Sequence, residues 1–488
     1  MTAVSTTYEM VVGLEVHVQL KTRTKAFCRC STSFGDFPNA NTCPVCLALP
    51  GALPVLNAHA VELAARAAFA LHCTVHQTSL FARKNYFYPD LPKGYQISQF
   101  DRPLAEVGWV ALADSSDAPR IGITRIHMEE DAGKSVHDRF PGFTAIDLNR
   151  SGVPLIEIVS EPEIRSSDDA ARYLRSLREI LLYAGVSDCS MEEGSLRVDA
   201  NISARPAGAR ELRTRTEIKN LNSFSNVARA LEIEFARHTA SYEAGGTVTQ
   251  QTMLFDAATD TVRPARSKEE SHDYRYFPEP DLPPLELSEA WLQGVRYALP
   301  EFPAARRQRF MASWSLTAAE ADVLTAQREV GDYFEAVARA ADDPKAAAHW
   351  VMGEVLAALN TSGRRIGDFA VPSARVAELI GLVKSGTLST TAAKRVFAAM
   401  LGGGRQAAAA PQSAIDVANA LGVVQVGDHQ SLRGWIDEAL LENPHEAARF
   451  AAGEHKLQGV LVGLVMKKSG GRADPKKLAQ LLAERAGT

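Results

Sequence analysis

The sequence has no long apolar run and no leader-like N-terminus. Its longest strongly apolar stretch near the C-terminus, Gly459 to Met466, has eight residues, whereas a membrane helix needs about 20. The first residues include Glu9 and contain no basic segment followed by an apolar one, so no secretory signal is predicted. The chain is therefore expected to be cytoplasmic and to make no membrane contact.

Neither sign of charge dominates the composition. The 488 residues include 53 Lys or Arg and 58 Asp or Glu, which gives a formal net charge of -5. With 46% hydrophobic and 23% charged residues, the chain has the profile of a globular protein. This excludes a disordered chain, a collagen-like repeat and a wholly basic nucleic-acid coat. The length predicts about three domains.

Cysteine is scarce, but it is clustered. Of six cysteines, four fall within 19 positions, as two close pairs: Cys28, Cys30, Cys43 and Cys46. So few cysteines do not indicate a disulfide scaffold, and two close thiol pairs joined by a loop are typical of a structural zinc site. The alternatives are four unligated thiols or an ancestral site that has lost its metal. Cys73 and Cys189 are predicted to be buried as small hydrophobes.

Proline marks a division of the chain. Eighteen of the 24 prolines lie at or before Pro300, in a part rich in turns and in segments of alternating polarity. The remainder is rich in alanine and predicts helices, such as Ala318 to Arg339 and Pro344 to Asn360. The PEPDLPP segment, 278–284, ends the first domain in this interpretation, and a second boundary falls in the glycine- and alanine-rich stretch 402–412.

Period-two alternation predicts strands in the first part. Met10 to Leu20 alternates Glu15, His17 and Gln19 with apolar residues, and the ranges 121–126, 154–159 and 196–202 show a similar pattern. Helices are predicted at 58–71 and at 167–184, the second opening with the capping residues Ser167, Asp168 and Asp169. The prediction is an α+β multidomain protein with a mostly antiparallel N-terminal sheet, followed by a helical domain and a small helical tail.

Acidic residues recur on the predicted strands. Glu15 and His17 share one strand face, Glu129 and Glu130 follow His127, and Glu157 and Asp199 lie on two further strands. Carboxylates that converge from several strands repel one another unless cations neutralise them, which favours a Mg²⁺ site, with Mn²⁺ as an alternative where histidine is a ligand. The competing interpretation is the solvated polar face of an antiparallel sheet.

No complete phosphate-binding loop is present. Gly133, Lys134 and Ser135 match the end of that motif, but Met128 stands where its first glycine belongs. Cationic and aromatic residues are dense in ARKNYFYPDLPKGYQISQ, which contains Lys84 and Lys93, and polar residues are dense in RTEIKNLNSF and SHDYRYFPEPD. These segments predict one large polar cleft.

Seven motifs carry a resemblance to a known family. In chain order they are GLEVHVQL, KNYFYPDLPKGYQISQ, HMEEDAGKS, DLNRSGVPLIEIVSEP, EEGSLRVDANIS, EIKNLNSF and DYRYFPEPD. Together they resemble the B subunits of glutamyl/aspartyl-tRNA amidotransferases, the GatB family. The resemblance runs from about Tyr8 to the C-terminus and leaves no room for the extra synthetase-like domain of the archaeal relatives.

The resemblance implies three domains and a set of site residues. The three domains are a cradle-shaped catalytic domain at 1–290, a helical domain at 291–405 and a YqeY-like tRNA-binding tail at 406–488. By resemblance, the Mg²⁺ ligands are His17, Glu130, Glu157 and Asp199, and the catalytic residues beside them are Glu15, Glu129, Lys84 and Lys93. Candidate tRNA contacts are Lys394, Arg395, Lys467, Lys468 and Arg472. The last 38 residues carry seven basic and three acidic residues, and this balance agrees with a polyanionic partner.

The resemblance also implies partners and a reaction. ATP phosphorylates the carboxylate of misacylated Glu-tRNA(Gln) or Asp-tRNA(Asn), and ammonia from an amidase-type A subunit, a glutaminase, displaces the phosphate. A small C subunit joins the A and B subunits. Two other classes stay open at this point: a non-catalytic zinc-knuckle module that binds tRNA, and a free-standing metal-dependent hydrolase. The carboxylates disfavour the first, and the lack of a self-contained nucleophile disfavours the second.

Overall fold

The computed structural model describes residues 7–115, 117–265, 273–402 and 413–486. Its backbone divides into two compact units, Met1–Ala305 and Arg306–Thr488. In the described residues the first unit contains all the strands and four helices, and the second is helical. No helix among these residues is long and apolar enough to cross a membrane.

The strands of the first unit form one large sheet and three small ones. They are β1 (Tyr8–Gln19), β2 (Thr74–Val75), β3 (Thr78–Ser79), β4 (Ala82–Asn85), β5 (Tyr95–Ser98), β6 (Ala105–Ala111), β7 (Arg120–Glu130), β8 (Lys134–Phe140), β9 (Phe143–Asp147), β10 (Pro154–Ser160), β11 (Leu196–Pro206), β12 (Thr216–Leu221), β13 (Thr252–Asp256), β14 (Thr261–Pro264), β15 (Phe277–Pro278) and β16 (Leu285–Glu286). The large sheet has the order β14-β13-β12-β11-β1-β10-β7-β6-β2. Its neighbours are antiparallel except β12 and β13, which are parallel.

The first helices lie on the apolar side of this sheet. The helices of the unit are α1 (Ala58–Ala70), α2 (Ser167–Tyr183), α3 (Phe224–Glu243) and α4 (Glu289–Tyr297). On β1, Leu14, Val16 and Val18 are fully buried in a cluster that also contains residues of α1, α2 and α3. Each such side chain contributes about 1.5–3 kcal/mol through its removal from water. The opposite side chains, including Glu15 and His17, are left on the other face, as the alternation predicted.

The helical unit differs from the sequence prediction in its breaks. It contains α5 (Pro303–Trp314, which begins in the first unit), α6 (Ala318–Thr325), α7 (Arg328–Ala341), α8 (Pro344–Trp350), α9 (Leu356–Ser362), α10 (Ser373–Lys384), α11 (Thr390–Gly402), α12 (Ala414–Ala420), α13 (His429–Glu442), α14 (Pro444–Ala451), α15 (Gln458–Lys468) and α16 (Pro475–Ala486). The helix predicted over 318–339 is two helices, because the backbone of Gln327 is extended. The helix predicted over 344–360 is interrupted by a π-helical segment, Val351–Val355.

Separate groups of buried apolar side chains hold the helices of the second unit. One runs from Phe310 to Val423 and includes residues of α12. Another runs from Leu432 to Leu482 and holds α13 to α16. The predicted link at 402–412 lies outside the described residues from position 403 onward. The α+β class is confirmed, whereas the predicted domain bounds at 290 and 405 stay predictions.

Candidate active site

The polar face of the large sheet forms the floor of a cavity of about 1300 Å³. Five adjacent strands contribute alternate residues to it, since side chains of one parity share a face. These floor residues are Glu15, His17, Arg125, His127, Glu129, Leu155, Glu157, Arg197, Asp199, Glu217 and Lys219. The segments 84–88, 96–100 and 273–277 supply further lining residues. The large polar cleft predicted from three separate segments is therefore one cavity.

Three side chains in this cavity form a metal-binding arrangement. Ligand atoms of His17, Glu129 and Glu157 all lie within 4.8 Å of one another. The register explains the meeting, because β10 pairs with β1 on one side and β7 on the other, and sets Glu157 opposite both His17 and His127. His17 Nε2 lies 3.1 Å from Glu157 Oε2. One imidazole and two carboxylates are donors that suit Mg²⁺ or Mn²⁺.

Neighbouring positive charges keep the two carboxylates of this cluster ionised although they are buried. Burial alone raises the pKa of Glu129, but Lys84 and His127 outweigh it and hold that pKa well below the usual range. Burial likewise opposes ionisation of Glu157, yet His127 and His17 lower its pKa to about 2. Burial lowers the pKa of His17, but its contact with Glu157 raises it overall. The carboxylates are therefore charged at neutral pH and suited to bind a cation.

Neighbouring polar groups fix the orientation of Glu129. Ser98 Oγ donates to Glu129 Oε1 over 2.6 Å, and Gln96 Nε2 donates to Oε2 over 3.0 Å. His127 Nε2 lies 3.2 Å from Oε1. Lys84 lies in the same cavity, with Nζ 5.1 Å from the centre of the Tyr274 ring. Burial lowers the pKa of Lys84, but Glu129 and other neighbours raise it overall, so this lysine is a cation beside the cluster.

Glu130 does not join this cluster, contrary to the ligand set implied by the resemblance. It follows Glu129 on β7, and adjacent residues of a strand face opposite sides. Its Oε1 accepts a hydrogen bond from the backbone N–H of Ile97 over 3.0 Å, and Lys93 forms an ion pair with it. Both side chains line a second, smaller cavity that also contacts Cys28 and Cys46. The structure brings Glu129 to His17 and Glu157 instead, and Lys84 and Lys93 line different cavities.

Asp199 and Glu15 lie in the large cavity but beside the cluster. Asp199 Oδ2 accepts from Lys219 Nζ over 2.9 Å, and the same ammonium lies 2.9 Å from Glu217. Glu15 Oε1 accepts from Asn201 Nδ2 over 3.0 Å. Burial, with Glu157, Glu217 and Asp199 nearby, raises the pKa of Glu15. Asp199 already has a cationic partner, so its part as a metal ligand stays a prediction.

His127 is the cluster neighbour that the sequence analysis left unassigned. It is 3% exposed, and its Nε2 lies 3.7 Å from Glu157 as well as close to Glu129. Its Nδ1 is buried with no hydrogen-bond partner among the described residues. The period-two pattern could have predicted this position, because residues 127 and 129 of one strand share a face. Phe100 also lies outside the three segments that predicted the cleft, yet it lines the cavity, and its ring stacks on that of Tyr276 with the ring centres 4.1 Å apart.

The four clustered cysteines meet as the spacing predicted. Their sulfurs all lie within 4.8 Å of one another, and those of Cys43 and Cys46 are 3.9 Å apart. Tetrahedral Zn²⁺ with Zn–S bonds of about 2.3 Å needs sulfurs about 3.8 Å apart. The hydrogen bond between Cys28 and Cys46 lowers the pKa of Cys46 and raises that of Cys28, so the two thiols favour a single shared negative charge. The donor set and its geometry fit a structural zinc ion.

The candidate tRNA contacts in the helical unit differ in their partners. Lys394 is paired with Glu354 over 2.6 Å, and Lys468 is paired with Glu442 over 2.6 Å. Arg472 lies over the ring of Trp435, 5.7 Å from its centre. Arg395 and Lys467 are exposed and have no acidic partner among the described residues. Arg395 and Lys467 can therefore contact phosphate without first breaking an ion pair.

Two family models match this chain. Residues 10–293 match the family model described as the GatB/GatE catalytic domain, and residues 332–485 match the one described as the GatB domain. The fold and the site thus define a protein of the GatB/GatE catalytic class, with its cluster inside the first matched region.

Full-length relatives narrow the class further. The chain is 50% identical over 481 residues to the B subunit of the aspartyl/glutamyl-tRNA(Asn/Gln) amidotransferase of Geobacter sulfurreducens, with 98% of this chain and 99% of the relative covered. It is 48% identical over 480 residues to the protein of that name from Oleidesulfovibrio alaskensis, covering 98% and 99%. The corresponding protein of Carboxydothermus hydrogenoformans is 48% identical over 481 residues, covering 98% of both chains. The chain belongs to this family of amidotransferase B subunits, which confirms the resemblance and the enzyme class expected from the sequence.

Proposed function

We propose that this chain is the component that activates and amidates the aminoacyl group of misacylated tRNA. Its substrates are Glu-tRNA(Gln), Asp-tRNA(Asn) or both, together with ATP. An amidase-type A subunit supplies ammonia from glutamine, and a small C subunit completes the complex. The observation that carries the proposal is the cluster of His17, Glu129 and Glu157 inside the large cavity. Neither a zinc-knuckle module nor a binding protein needs such a cluster.

Two steps account for the reaction. An oxygen of the side-chain carboxylate attacks the γ-phosphorus of ATP, the bond to the bridging oxygen breaks, and ADP leaves. The product is an acyl phosphate. Ammonia then attacks its carbonyl carbon, the carbon–oxygen bond to phosphate breaks, and the amide forms as phosphate leaves with a proton from the ammonia nitrogen. The first step is needed because oxide is too poor a leaving group for ammonia to displace directly.

The residues of the cavity suit the charge that these steps concentrate. His17, Glu129 and Glu157 would hold the divalent cation, which when bound neutralises phosphate oxygens and supports their transfer. Ser98 and Gln96 keep Glu129 in place, so the cluster needs little reorganisation when substrates bind. Lys84 brings a fixed positive charge beside the cluster. The aromatic rim at Tyr274 and Tyr276 offers flat surfaces for the end of the tRNA.

Surface cations of the helical unit support a role in tRNA binding. Arg395 and Lys467 are exposed and available to phosphate, and the resemblance assigns this part of the chain to the tRNA. Contacts of this kind contribute affinity that falls with salt and carry no sequence information. We therefore propose that the helical unit contributes affinity for tRNA, whereas the sheet unit catalyses the reaction.

The deciding experiment is amidation by the reconstituted three-subunit complex. Each misacylated tRNA is supplied separately with glutamine, with and without ATP, and both the amidated aminoacyl-tRNA and ADP are measured. We expect amide and ADP to form in equal amounts, and only with ATP present. Amidation without ATP would refute the activation step, and the tRNA that supports turnover identifies the substrate.

A further inference from the structure

Residues 273–281 form a strap beside the large cavity, and side chains outside the proposed reaction hold it in place. Tyr274 and Tyr276 of the strap line the cavity. Further along, the strap becomes β15, which pairs antiparallel with β4 and sets Phe277 opposite Arg83. The strap is thus the edge of the small sheet β15-β4-β5.

A two-pronged ion pair attaches the strap to β4. Arg83 Nε donates to Glu279 Oε2 over 2.8 Å, and Arg83 Nη2 donates to Glu279 Oε1 over 2.8 Å. The Glu279 side chain is fully buried, and its Oε1 also accepts from the backbone N–H of Asp281 over 3.0 Å. The guanidinium lies over the ring of Tyr95, 4.2 Å from its centre. Two parallel bonds between planar groups fix orientation as well as distance.

The alternation along β4 places this ion pair behind Lys84. Arg83 and Lys84 are neighbours on one strand, so their side chains leave it in opposite directions. Lys84 lines the large cavity, and in the register it stands opposite Gln96 of β5. Gln96 and Ser98 of β5 are the two groups that donate to Glu129. One small sheet therefore carries Lys84, the groups that orient Glu129, and the strap.

The other end of the strap is bent and is held by Asn85. Arg275 has a φ of 48°, in the left-handed region that a residue with a side chain rarely adopts. Asn85 Nδ2 donates to the carbonyl of Arg275 over 2.9 Å and to that of Tyr274 over 3.1 Å, and the backbone N–H of Asn85 also donates to Tyr274. Backbone strain persists where surrounding contacts enforce it, and it is frequent at functional sites.

The strap supplies part of an aromatic wall of the cavity. The ring of Tyr276 stacks on that of Phe100, and Tyr274 meets both Tyr276 and Tyr86 edge to face, with ring centres 6.0 Å apart in each case. All four rings line the cavity. Such contacts pass from the strap to β5 and to the residue after β4, so the position of the wall depends on how the strap is attached.

The wall stands close to the cluster. Burial raises the pKa of the Tyr276 hydroxyl, Lys84 opposes this rise, and Glu129 and Glu157 add to it. The hydroxyl therefore lies within reach of the charges of the cluster. The acyl phosphate of the proposed reaction forms at this place, and water would hydrolyse it before ammonia arrives. Exclusion of water from a reactive intermediate is a recognised task of active-site walls.

We propose that Arg83 and Glu279 are positioning residues, whose ion pair fixes the strap and Lys84 beside the cluster and so keeps water from the acyl phosphate. This inference rests on the proposed function. Neither residue touches the reacting atoms, since both act through Lys84 and Tyr276. When the pair is broken, water attacks the acyl phosphate, the carbon–oxygen bond to phosphate breaks, and the carboxylate and inorganic phosphate are released with protons from the water. ATP is then consumed without formation of amide.

The test measures ADP and amide together in the reconstituted complex with misacylated tRNA and ATP. Saturating ammonium chloride replaces glutamine, so delivery of ammonia from the partner plays no part. For Glu279→Gln and Arg83→Gln we expect amidation to fall about tenfold, as for a displaced group beside the reacting atoms. The ADP formed per amide should rise severalfold above one. A fraction of unfolded protein lowers the rate but leaves this ratio unchanged.

Glu234→Gln is the matched control. Glu234 is also fully buried, and Arg237 donates to its two oxygens over 2.9 and 2.7 Å. It lies on α3, outside the residues that line the large cavity. Breaking this pair should lower the thermal midpoint about as much as Glu279→Gln does, yet the complex should keep one ADP per amide.

The double variant tests whether the two residues act as one pair. Arg83→Gln combined with Glu279→Gln should lose no more amidation than the worse single variant, because both changes remove the same interaction. Arg83→Lys keeps the positive charge but has no planar fork, so it should give a ratio between those of the parent and Arg83→Gln. If the neutral variants do not fold, this variant decides alone.

Three results would overturn the assignment. They are a ratio of one in Glu279→Gln or, if that variant does not fold, in Arg83→Lys; an equal rise of the ratio in Glu234→Gln; and additive losses in the double variant. Failure of the proposed function gives a different result, since the parent complex itself would then form amide without ATP or form no ADP with misacylated tRNA.

Discussion

The two clusters of the sheet unit that could hold a metal ion are built in opposite ways. The cysteine cluster draws its four ligands from 19 consecutive positions, on a segment with little regular structure. The carboxylate cluster draws three ligands from β1, β7 and β10, and the sheet holds them in place. The difference teaches that the residues of one cluster can come from a single short segment of the chain, whereas those of the other meet only through the register of distant strands.

The largest expected effect tests the carboxylate cluster as the centre of chemistry. Glu157→Gln removes one charged ligand and leaves the shape of the side chain, so we expect amidation by the reconstituted complex to fall by at least about 100-fold. Glutamine hydrolysis by the amidase-type partner should continue, at least in part. Glu106→Gln, which changes a half-buried carboxylate on β6 that is paired with His76, is the control. Normal amidation by Glu157→Gln would show that the cluster takes no part in the reaction.

The comparison becomes sharper at two adjacent glutamates. Because Glu129 faces the cluster and Glu130 faces Lys93, only Glu129→Gln should raise the Mn²⁺ concentration needed for half-maximal amidation, by about tenfold or more. Glu130→Gln should leave this metal dependence unchanged, whatever it does to the rate. Titration of amidation with Mn²⁺ for both variants decides the ligand set. A shift in Glu130→Gln alone would restore the set implied by the resemblance.

A smaller effect on the reaction is expected at the cysteine cluster. Cys43→Ser removes a thiolate ligand, so the purified chain should lose zinc by metal analysis, and its thermal midpoint should fall by about 5 °C. Amidation measured well below that midpoint should stay within a few-fold of the parent. Cys73→Ala, which changes a buried thiol outside the cluster, should keep its zinc. Absence of zinc from freshly purified parent protein would contradict the structural role.

The smallest effects are expected from variants of the helical unit. The described residues of this unit contain neither cluster, so these variants show how much is lost when only a surface charge is removed. Lys467→Gln should weaken tRNA binding by a few-fold and lower its salt dependence, because one phosphate contact is lost. Lys468→Gln should weaken it less, since Glu438 and Glu442 already neutralise that ammonium. Filter binding at several salt concentrations measures both. Equal, salt-independent effects would argue against contact through these side chains.

The sequence predicted those parts of the fold and site whose signals are local. The alternation in β1, the start of α2 and the four cysteines all have their meaning within a few residues, although the N-cap of α2 is Ser166, one residue before the predicted capping residues. The break at Gln327 was missed because residues 327–329 are Gln, Arg and Glu, which favour helix, and no glycine or proline marks the extended backbone of Gln327. The sequence did not predict that Glu129 rather than Glu130 lies beside His17 and Glu157, because this depends on how β7 pairs with β10 and on what Lys93 contacts, and the motif HMEEDAGKS contains neither kind of information.

The alternation along β1 also restricts which insertions the chain can accept during evolution. A single-residue insertion within the strand would carry Glu15 and His17 into the helix-covered core and bring Leu14 and Val16 onto the polar face, so function and stability would be lost together. The loop between Cys30 and Cys43 carries no such constraint. Among descendants of this chain, length should therefore drift in that loop, while the strands that bear the cluster keep the same number of residues.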